Sequence, residues 1–402
     1  MNRFRKIAAL TFLFYLIIIS CFSKPLTNSG ILSFVDKQYR FALKEIEKKQ
    51  TEHKCLTNKI FPRSLMPNGE LMLVAPEDWT SGFFPGSLWY LYENTNDLFW
   101  KRQAIKYTEI LESQQFNTGN HDVGFMMYCS YGNGYRLTKS AHYKEVLIQS
   151  ATSLCKRFNP KVGCIRSWDF NKEKWQYPVI IDNMMNLELL FWAFHETKDS
   201  SFYKIAVSHA DKTLRNHFRD NGSCYHVIDY DSITGNARLK MTYQGYSDES
   251  SWARGQAWAL YGFTFMYRET GDKKYLDQTE KIANFIFNNK NMPTDLVPFW
   301  DFDAPKIPNV PKDASAASVM ASALLELATL DQSNTLKYNL LANKILLSLE
   351  KDYKSKLGEN RGFLLKQSTG FLPWGAEINV PLNYADYYFM EALTRQKNNT
   401  KK

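Results

Sequence analysis

A chain of 402 residues with 44% hydrophobic and 15% aromatic side chains has ample material for a large core, which excludes an intrinsically disordered protein. The formal net charge of +9 is a mild excess. Because the sequence has no compact Lys/Arg block and no recognised binding motif, nucleic acid is not expected as a partner. The six cysteines form no CxxC pair and the seven histidines show no ligand spacing, so no metal or other cofactor is expected.

Residues 1–20 predict a lipoprotein signal peptide. A basic cluster, MNRFRK, precedes the apolar run IAALTFLFYLIIIS, which is too short for a stable membrane span. The sequence IISC ending at Cys21 matches the bacterial lipobox, so we predict lipidation of Cys21 and a short tether over residues 21–30. Ordinary cleavage after Ser23 is the alternative. Either route exports the protein. A periplasmic location is expected, with the lipid anchor as the only contact with a bacterial membrane, because no acidic export signal follows Cys21.

From residue 31 onward, the sequence has helical periodicity and no sustained alternation, so any strands should be minor. Helices that are apolar on most faces alternate with half-charged helices, and short polar turns separate them. These turns lie near Asp97, Lys139, Asp199, Asp272 and Ser333. About twelve helices predict an all-α, single-domain (α/α)6 barrel of six inner and six outer helices over residues 31–396, with a polar tail at 397–402. An open solenoid is the alternative, but its ends should be polar, whereas the last helix here is aromatic.

Acidic residues stand at the entry to predicted inner helices. His121 and Asp122 precede VGFMMYCSYGNGY, Asp182 precedes NMMNLELLFWAF, and Asp248 and Glu249 begin DESSWARGQAWALYGF. A single Asp at a helix start is commonly an N-cap. However, the Ile and Met neighbours of Asp182 disfavour its charged form, and a second carboxylate facing it would leave one acid neutral and the other ionised. This pattern favours Asp182 and Asp122 as a catalytic pair.

Four tryptophans and one arginine are candidates for sugar binding. Trp79 and Trp168 lie in predicted loops, where their faces suit the apolar faces of sugar rings. Trp252 and Trp258 lie at or in an inner helix, so core packing is the alternative for them. Arg254 either binds a substrate carboxylate or forms a buried ion pair with one of the two acids that precede its helix.

Taken together, these clusters resemble glycoside hydrolase family 88, the unsaturated glucuronyl hydrolases, from about residue 70 to residue 393. The matching segments are DWTSGFFPG, HDVGFMMYCSYGNGYRLT, IIDNMMNLELLFWA, WARGQAWALYGF, VPFWDFDAPKIPNVPKDASAASVMASALLEL and STGFLPWGAEINVPLNYADYYFMEAL. The resemblance implies an enzyme that releases a 4,5-unsaturated uronic acid from the non-reducing end of lyase-generated glycosaminoglycan oligosaccharides. It implies hydration of the enol-ether double bond, without direct displacement of the glycosidic oxygen.

The resemblance also implies the roles of individual residues. Asp182 matches the proton donor and water-activating base, and Asp122 matches the carboxylate that binds ring hydroxyls and stabilises the charged intermediate. His226 and Gln244 would touch the uronate, and Trp168 would stack on the next sugar. The full set of implied substrate-binding residues is His121, Trp168, His226, Gln244, Trp252, Arg254, Trp258 and, with a looser match, Trp79.

Three alternatives remain open from the sequence. An unsaturated rhamnogalacturonyl hydrolase of the same fold is the nearest, although the contexts of His226 and Gln244 favour the glucuronyl family. A surface lipoprotein that binds glycans without cleaving them would not need the carboxylate pair, and a sugar epimerase would lean on paired histidines. The segment LLKQSTGFLPWGAE carries Lys366, Ser368 and the bulky Trp374 where some family members bind sulfate, so tolerance of sulfated sugars is open. No obligate protein partner is inferred.

Overall fold

The computed structural model describes residues 28–52 and 58–400. The predicted signal peptide and Cys21 lie outside these residues. The first helix begins at Asn28, inside the predicted tether, and the last helix continues to Asn399, inside the predicted polar tail. The predicted domain boundaries at both ends therefore fall within helices.

In chain order, the helices are α1 (Asn28–Glu52), α2 (Phe83–Thr95), α3 (Leu98–Glu109), α4 (Asn133–Thr138), α5 (Ala141–Cys155), α6 (Asn183–Thr197), α7 (Ser200–Asn216), α8 (Ala253–Thr270), α9 (Lys273–Phe287), α10 (Ala314–Leu330), α11 (Thr335–Ser348) and α12 (Asn383–Asn399). A π-helical segment, Gly124–Gly132, runs directly into α4, and a second one, Leu349–Tyr353, extends α11. Shorter 3₁₀ turns lie in the connections.

The even-numbered helices form a closed inner ring. Helix α2 contacts the π segment that precedes α4, this segment contacts α6, and contacts continue through α8 and α10 to α12, which returns to α2. Helices α3, α5, α7, α9 and α11 each pack outside the inner helix that precedes them, and α1 packs against α2. The predicted (α/α)6 barrel of six inner and six outer helices is therefore confirmed.

Burial explains why the two kinds of helix separate. Helix α8 is buried at every position from Ala253 to Met266, as expected for a helix that is apolar all round. Helix α9 instead buries one stripe, which includes Tyr275, Ile282 and Ile286. The polar turns begin the outer helices. For example, the carboxylate of Asp272 caps α9 by accepting a hydrogen bond from the Lys274 N–H.

The strands are short, as expected, and lie in the loops that precede the inner helices. They are β1 (Phe61–Leu65), β2 (Leu71–Val74), β3 (Phe158–Asn159), β4 (Cys164–Ile165), β5 (Pro178–Ile180), β6 (Val227–Tyr230), β7 (Ala237–Met241), β8 (Ser368–Phe371) and β9 (Ala376–Val380). Strands β5, β6 and β7 form one antiparallel sheet, and β8 and β9 form a hairpin.

In the part of the chain that the structure describes, no single helix is long and apolar enough to cross a membrane. One consecutive pair, Ala314–Leu330 with Gln332–Tyr353, meets that length and composition only when joined across a bend of 116°.

Candidate active site

A cavity of about 190 Å³ at the amino-terminal ends of the inner helices brings together most of the predicted site residues. Those that line it are Trp79, His121, Asp122, Trp168, Asp182, Gln244 and Arg254. A more open depression of about 580 Å³ adjoins it and shares Trp79, His121, Asp122, Trp168 and Phe170. The two predicted catalytic carboxylates therefore line the same cavity.

Sheet pairing and the start of α6 position Asp182. Strand β5 ends at Ile180, which pairs with Val227 of β6, and this pairing brings His226 beside the turn that carries Asp182. Asp182 stands at the N-cap position of α6, yet its side chain makes no capping hydrogen bond. Only 8% of Asp182 is exposed, and its Oδ2 has no hydrogen-bond partner. The Asp182 carboxylate therefore does not cap α6, which was its alternative role.

A close contact between two inner helices positions Asp122. The residue lies just before the π segment, where Gly124 meets Asn186 of α6 so closely that an added Cβ would lie 2.5 Å from the Asn186 Cα. Asn186 Oδ1 accepts a hydrogen bond from the Phe125 N–H at 2.8 Å. This contact fixes the segment of Asp122 against the helix that begins at Asp182. π-helical segments are frequent at functional sites.

Burial raises the pKa of both catalytic candidates. For Asp182 it raises the pKa to about 7, and the nearby charge of Arg254 opposes this shift. The pKa of Asp122 is also raised, first by burial and then by the charge of Asp182. We expected from the sequence that Asp122 would be the ionised member of the pair. In the structure, burial raises both pKa values and the charge of Asp182 adds to the shift at Asp122, so the two carboxyls are coupled and share a proton near neutral pH, and its assignment to Asp182 stays a prediction.

His226 and His121 are buried and neutral, and each faces one of the carboxylates. His226 Nδ1 accepts hydrogen bonds from the N–H groups of Tyr243 and Gln244, both at 3.1 Å, so Nε2 carries the proton and lies 3.6 Å from Asp182 Oδ2. His121 Nε2 lies 3.5 Å from Asp122 Oδ1. Burial lowers the pKa of His121 to about 3 and that of His226 well below its usual value. Each imidazole is thus a neutral neighbour of an acid.

Arg254 lines the cavity, but its guanidinium is bound within the protein. It lies 2.9 Å from Asp313 Oδ2 and donates to the Thr369 and Gly370 carbonyls at 2.6 Å each. The prediction that Arg254 would form its ion pair with Asp248 or Glu249 is therefore wrong. The true partner begins α10, far away in the sequence, and could not be inferred from spacing along α8. Arg254 acts on the site through its charge near Asp182 and through the strand β8 that it holds.

Three predicted residues lie behind the cavity wall. His226 and Trp252 pack against each other with ring centroids 4.6 Å apart, and Trp252 also lies 4.6 Å from the Arg254 guanidinium carbon. Trp258 is fully buried between Phe125 and Tyr388. The structure thus brings these residues to the site without placing them on its open surface, and the side chain of Trp258 is near enough to the Asp182 carboxyl to oppose the rise in its pKa.

Sequence reasoning missed several residues that line the cavity: Arg63, Phe170, Tyr243, Phe371, Glu377 and Tyr384. Arg63 donates to Glu377 Oε1 at 2.6 Å and to Asp78 Oδ2 at 2.8 Å. This contact joins the amino-terminal strand β1 to the carboxy-terminal strand β9. Phe371, Glu377 and Tyr384 lie in the segment STGFLPWGAEINVPLNYADYYFMEAL, which resembles the family as a whole. The sequence therefore indicated this segment but not these individual positions.

A second cavity, of about 550 Å³, lies toward the other ends of the same inner helices and contains none of the predicted residues. Its carboxylates are engaged in ion pairs. Glu188 and Glu269, for example, both bind Arg268, and Glu391 lies 3.7 Å from the Arg395 guanidinium. Over residues 28–52 and 58–400, no group of three or more His, Cys, Asp or Glu side chains is placed to hold a metal ion. The smaller cavity with the aspartate pair is therefore the better candidate for chemistry.

Comparison with known proteins shows which family the chain resembles. The family model described as glycosyl hydrolase family 88 matches residues 57–301. An unsaturated glucuronyl hydrolase of Formosa agariphila is 47% identical over 341 residues, 84% of this chain and 85% of the relative. An unsaturated chondroitin disaccharide hydrolase of Streptococcus agalactiae is 33% identical and covers 79% of this chain and 81% of its own. The solved structure of an unsaturated glucuronyl hydrolase specific for heparin matches with a TM-score of 0.86 at 46% identity, over 92% of this chain and 98% of that one.

Proposed function

The chain belongs to glycosyl hydrolase family 88, and we propose that it releases the 4,5-unsaturated uronic acid from the non-reducing end of lyase-generated glycosaminoglycan oligosaccharides. It is a glycoside hydrolase, and the family resemblance noted in the sequence is confirmed. The neighbours in this family carry names of the same activity, so a rhamnogalacturonyl hydrolase and a non-catalytic binder are not favoured.

The shared cavity of Asp122 and Asp182 carries this proposal. Because burial raises the pKa of both carboxyls, the pair retains a proton near neutral pH. The cavity of about 190 Å³ is on the order of the volume of one sugar ring. An enclosed space for one terminal sugar suits an enzyme that acts at a chain end.

The chemistry is addition of water to the enol ether. A proton from Asp182 adds to carbon 4, and the electron pair of the double bond forms the new C–H bond and leaves positive charge shared by carbon 5 and the ring oxygen. An ionised carboxylate at Asp122 stabilises this charge. Water then adds to carbon 5 as Asp182 accepts its proton. The resulting hemiketal opens at the ring oxygen, and carbon 1 becomes a hemiacetal that releases the remaining sugar with a free hydroxyl.

A heparin-type disaccharide is the preferred substrate in this proposal. The support is the 46% identity to the solved enzyme that is specific for heparin, against 33% identity to the chondroitin disaccharide hydrolase. Both lyase products have the same unsaturated uronate, so the difference must be read by contacts with the second sugar.

Hydrolysis can be measured as loss of the absorbance of the double bond, near roughly 235 nm, with unsaturated disaccharides from heparin, chondroitin, hyaluronan and rhamnogalacturonan. We expect turnover of glycosaminoglycan disaccharides, fastest with the heparin type, and loss of about 10²- to 10⁴-fold in kcat for Asp182→Asn. Asp199→Asn, at the exposed cap of α7, is the matched control and should retain full activity. Bleaching by Asp182→Asn at the wild-type rate, or turnover of only the rhamnogalacturonan product, would contradict the proposal.

We also propose that the protein is exported to the periplasm and held on a bacterial membrane by a lipid at Cys21. The support is the basic and apolar leader followed by the lipobox. The full chain and a Cys21→Ser variant can be expressed with a labelled fatty acid. Label should appear on the first protein and not on the second, and label on neither would exclude the anchor.

A further inference from the structure

One feature of the cavity mouth is not used by the proposed chemistry. Trp374 lies in the turn that joins β8 and β9, and 68% of it is exposed. Exposed apolar side chains are common on protein surfaces, so exposure alone assigns Trp374 no partner. Its position beside the cavity mouth is what makes it a candidate for binding substrate.

Trp374 ends a row of aromatic rings that begins inside the cavity. Phe170 and Tyr243 line the cavity with ring centroids 5.8 Å apart, and Tyr243 lies 5.0 Å from Phe371, which also lines it. Phe371 lies 5.6 Å from Trp374, which is not part of the cavity lining. Trp374 also lies 6.0 Å from Tyr243, so it packs against two rings of the cavity lining and stands at the edge of the cavity mouth.

The hairpin that presents Trp374 is firmly held at its base. Arg63 binds Glu377 of β9 through two donors, at 2.6 and 3.0 Å. Arg254 donates to the Gly370 carbonyl of β8 at 2.6 Å, and Gln244 donates to the same carbonyl at 3.3 Å. Residues that the family resemblance assigned to the substrate thus fix the hairpin. A rigidly held aromatic surface binds a ligand with less loss of entropy than a mobile one.

The predicted stacking residue, Trp168, has little face to offer. Only 9% of it is exposed, and Phe170 stacks on it with centroids 5.0 Å apart and planes at 19°. Phe170 itself is 46% exposed and so presents the open face on that wall. Aromatic faces available to sugars therefore lie on Phe170 and, further out, on Trp374.

We propose that Phe371 and Trp374 form a binding subsite for the sugar rings on the reducing side of the released uronate, with Trp374 reserved for a ring beyond the disaccharide. This rests on the proposed function. Because the cavity accommodates about one ring, the second ring meets Phe170, Tyr243 and Phe371 at the mouth, and the next ring reaches Trp374. The enzyme therefore distinguishes oligosaccharides by length.

The test compares an unsaturated disaccharide with the unsaturated tetrasaccharide from the same polymer. For Trp374→Ala, we expect the KM for the tetrasaccharide to rise about 2- to 10-fold, as for loss of one aromatic contact, with kcat unchanged and with disaccharide kinetics unchanged. Trp374→Phe should retain part of the tetrasaccharide binding. Leu336→Ala, which truncates an apolar side chain of 60% exposure on the outer helix α11, is the matched control and should change neither substrate.

The two KM values together separate the possible outcomes. An equal rise in both KM values would mean that Trp374 only supports the folded site, and no change in either KM would mean that Trp374 serves another partner, such as a membrane or a second copy of the chain. Either result overturns the subsite. Failure of the proposed function is distinct, because the wild-type protein would then not turn over the disaccharide at all.

Discussion

Asp182→Asn should stabilise the folded protein at alkaline pH while it abolishes turnover. The Asp182 carboxyl is 8% exposed, its Oδ2 has no hydrogen-bond partner, and burial raises its pKa from 3.8 to about 7. An asparagine of nearly the same shape removes the ionisable group. Its amide oxygen can accept from the protonated Nε2 of His226, which lies 3.6 Å from the present Oδ2.

The pH dependence of this gain follows from the pKa shift. Because the pKa is higher in the folded state, the wild-type protein loses stability as the pH rises from about 4 and reaches the full loss above about 7. Each pKa unit corresponds to about 1.4 kcal/mol. Between pH 5 and pH 8, the loss builds up over the two pH units from 5 to about 7. The advantage of Asp182→Asn in free energy of unfolding should therefore grow by about 2–3 kcal/mol.

Urea unfolding of wild type and variant at pH 5 and pH 8, followed by circular dichroism, measures this difference. Asp199→Asn is the control, because Asp199 is an exposed helix cap whose pKa is lowered by the Ser201 N–H, so any effect on stability should be the same at pH 5 and pH 8. If Asp182→Asn is no more stable than wild type at pH 8, or if its advantage is the same at both pH values, the carboxyl does not ionise at a cost and the reasoning is refuted.

Three further substitutions test how the site is assembled. Arg254→Met should raise the pKa of Asp182 and shift the alkaline limb of the kcat/KM profile to higher pH. Arg254→Lys retains the charge and should leave the limb in place. A shifted limb in both variants would exclude the electrostatic role of Arg254. Gly124→Ala should cost about 1–3 kcal/mol in urea unfolding, since the new Cβ would lie 2.5 Å from the Asn186 Cα, and a neutral result would contradict that contact. Asp122→Asn should lower kcat about 10²- to 10³-fold in steady-state assays while folding normally, and a full wild-type kcat would remove it from the mechanism.

The sequence predicted the barrel well because its signals are local. Each outer helix is amphipathic, each inner helix is apolar all round, and polar residues such as Asp199 and Asp272 both separate the helices and cap them. The π-helical geometry of Gly124–Gly132 could not be predicted. Its side-chain pattern is that of an α-helix, and the contact with Asn186 that accompanies the geometry is formed only when two inner helices meet.

The difference between local and long-range signals also explains which site residues the sequence predicted and which it did not. Asp122 and Asp182 each stand at the entry to an apolar helix, which is visible in a few neighbouring residues. Arg63 and Glu377 are brought together only because the ring closes β1 against β9, and nothing in either segment reports the other. For the same reason, the ion pair of Arg254 was sought among its sequence neighbours, whereas its partner lies at the start of another inner helix.

The charges around the cavity give a physical reason why the negative charge of the two catalytic carboxyls is kept low. Among the described residues that line it, the arginines are Arg63 and Arg254, and both are engaged by carboxylates or carbonyls of the protein. A uronate that enters therefore meets the aspartates with little free positive charge to offset repulsion. A proton held by one member of the pair removes part of that repulsion, and the negative charge of the bound sugar in turn raises the pKa of the pair further. Burial of the two carboxyls thus has two effects: it keeps the proton that is added to carbon 4, and it lowers the negative charge that an anionic sugar ring meets. Binding of the substrate and retention of the proton are therefore coupled.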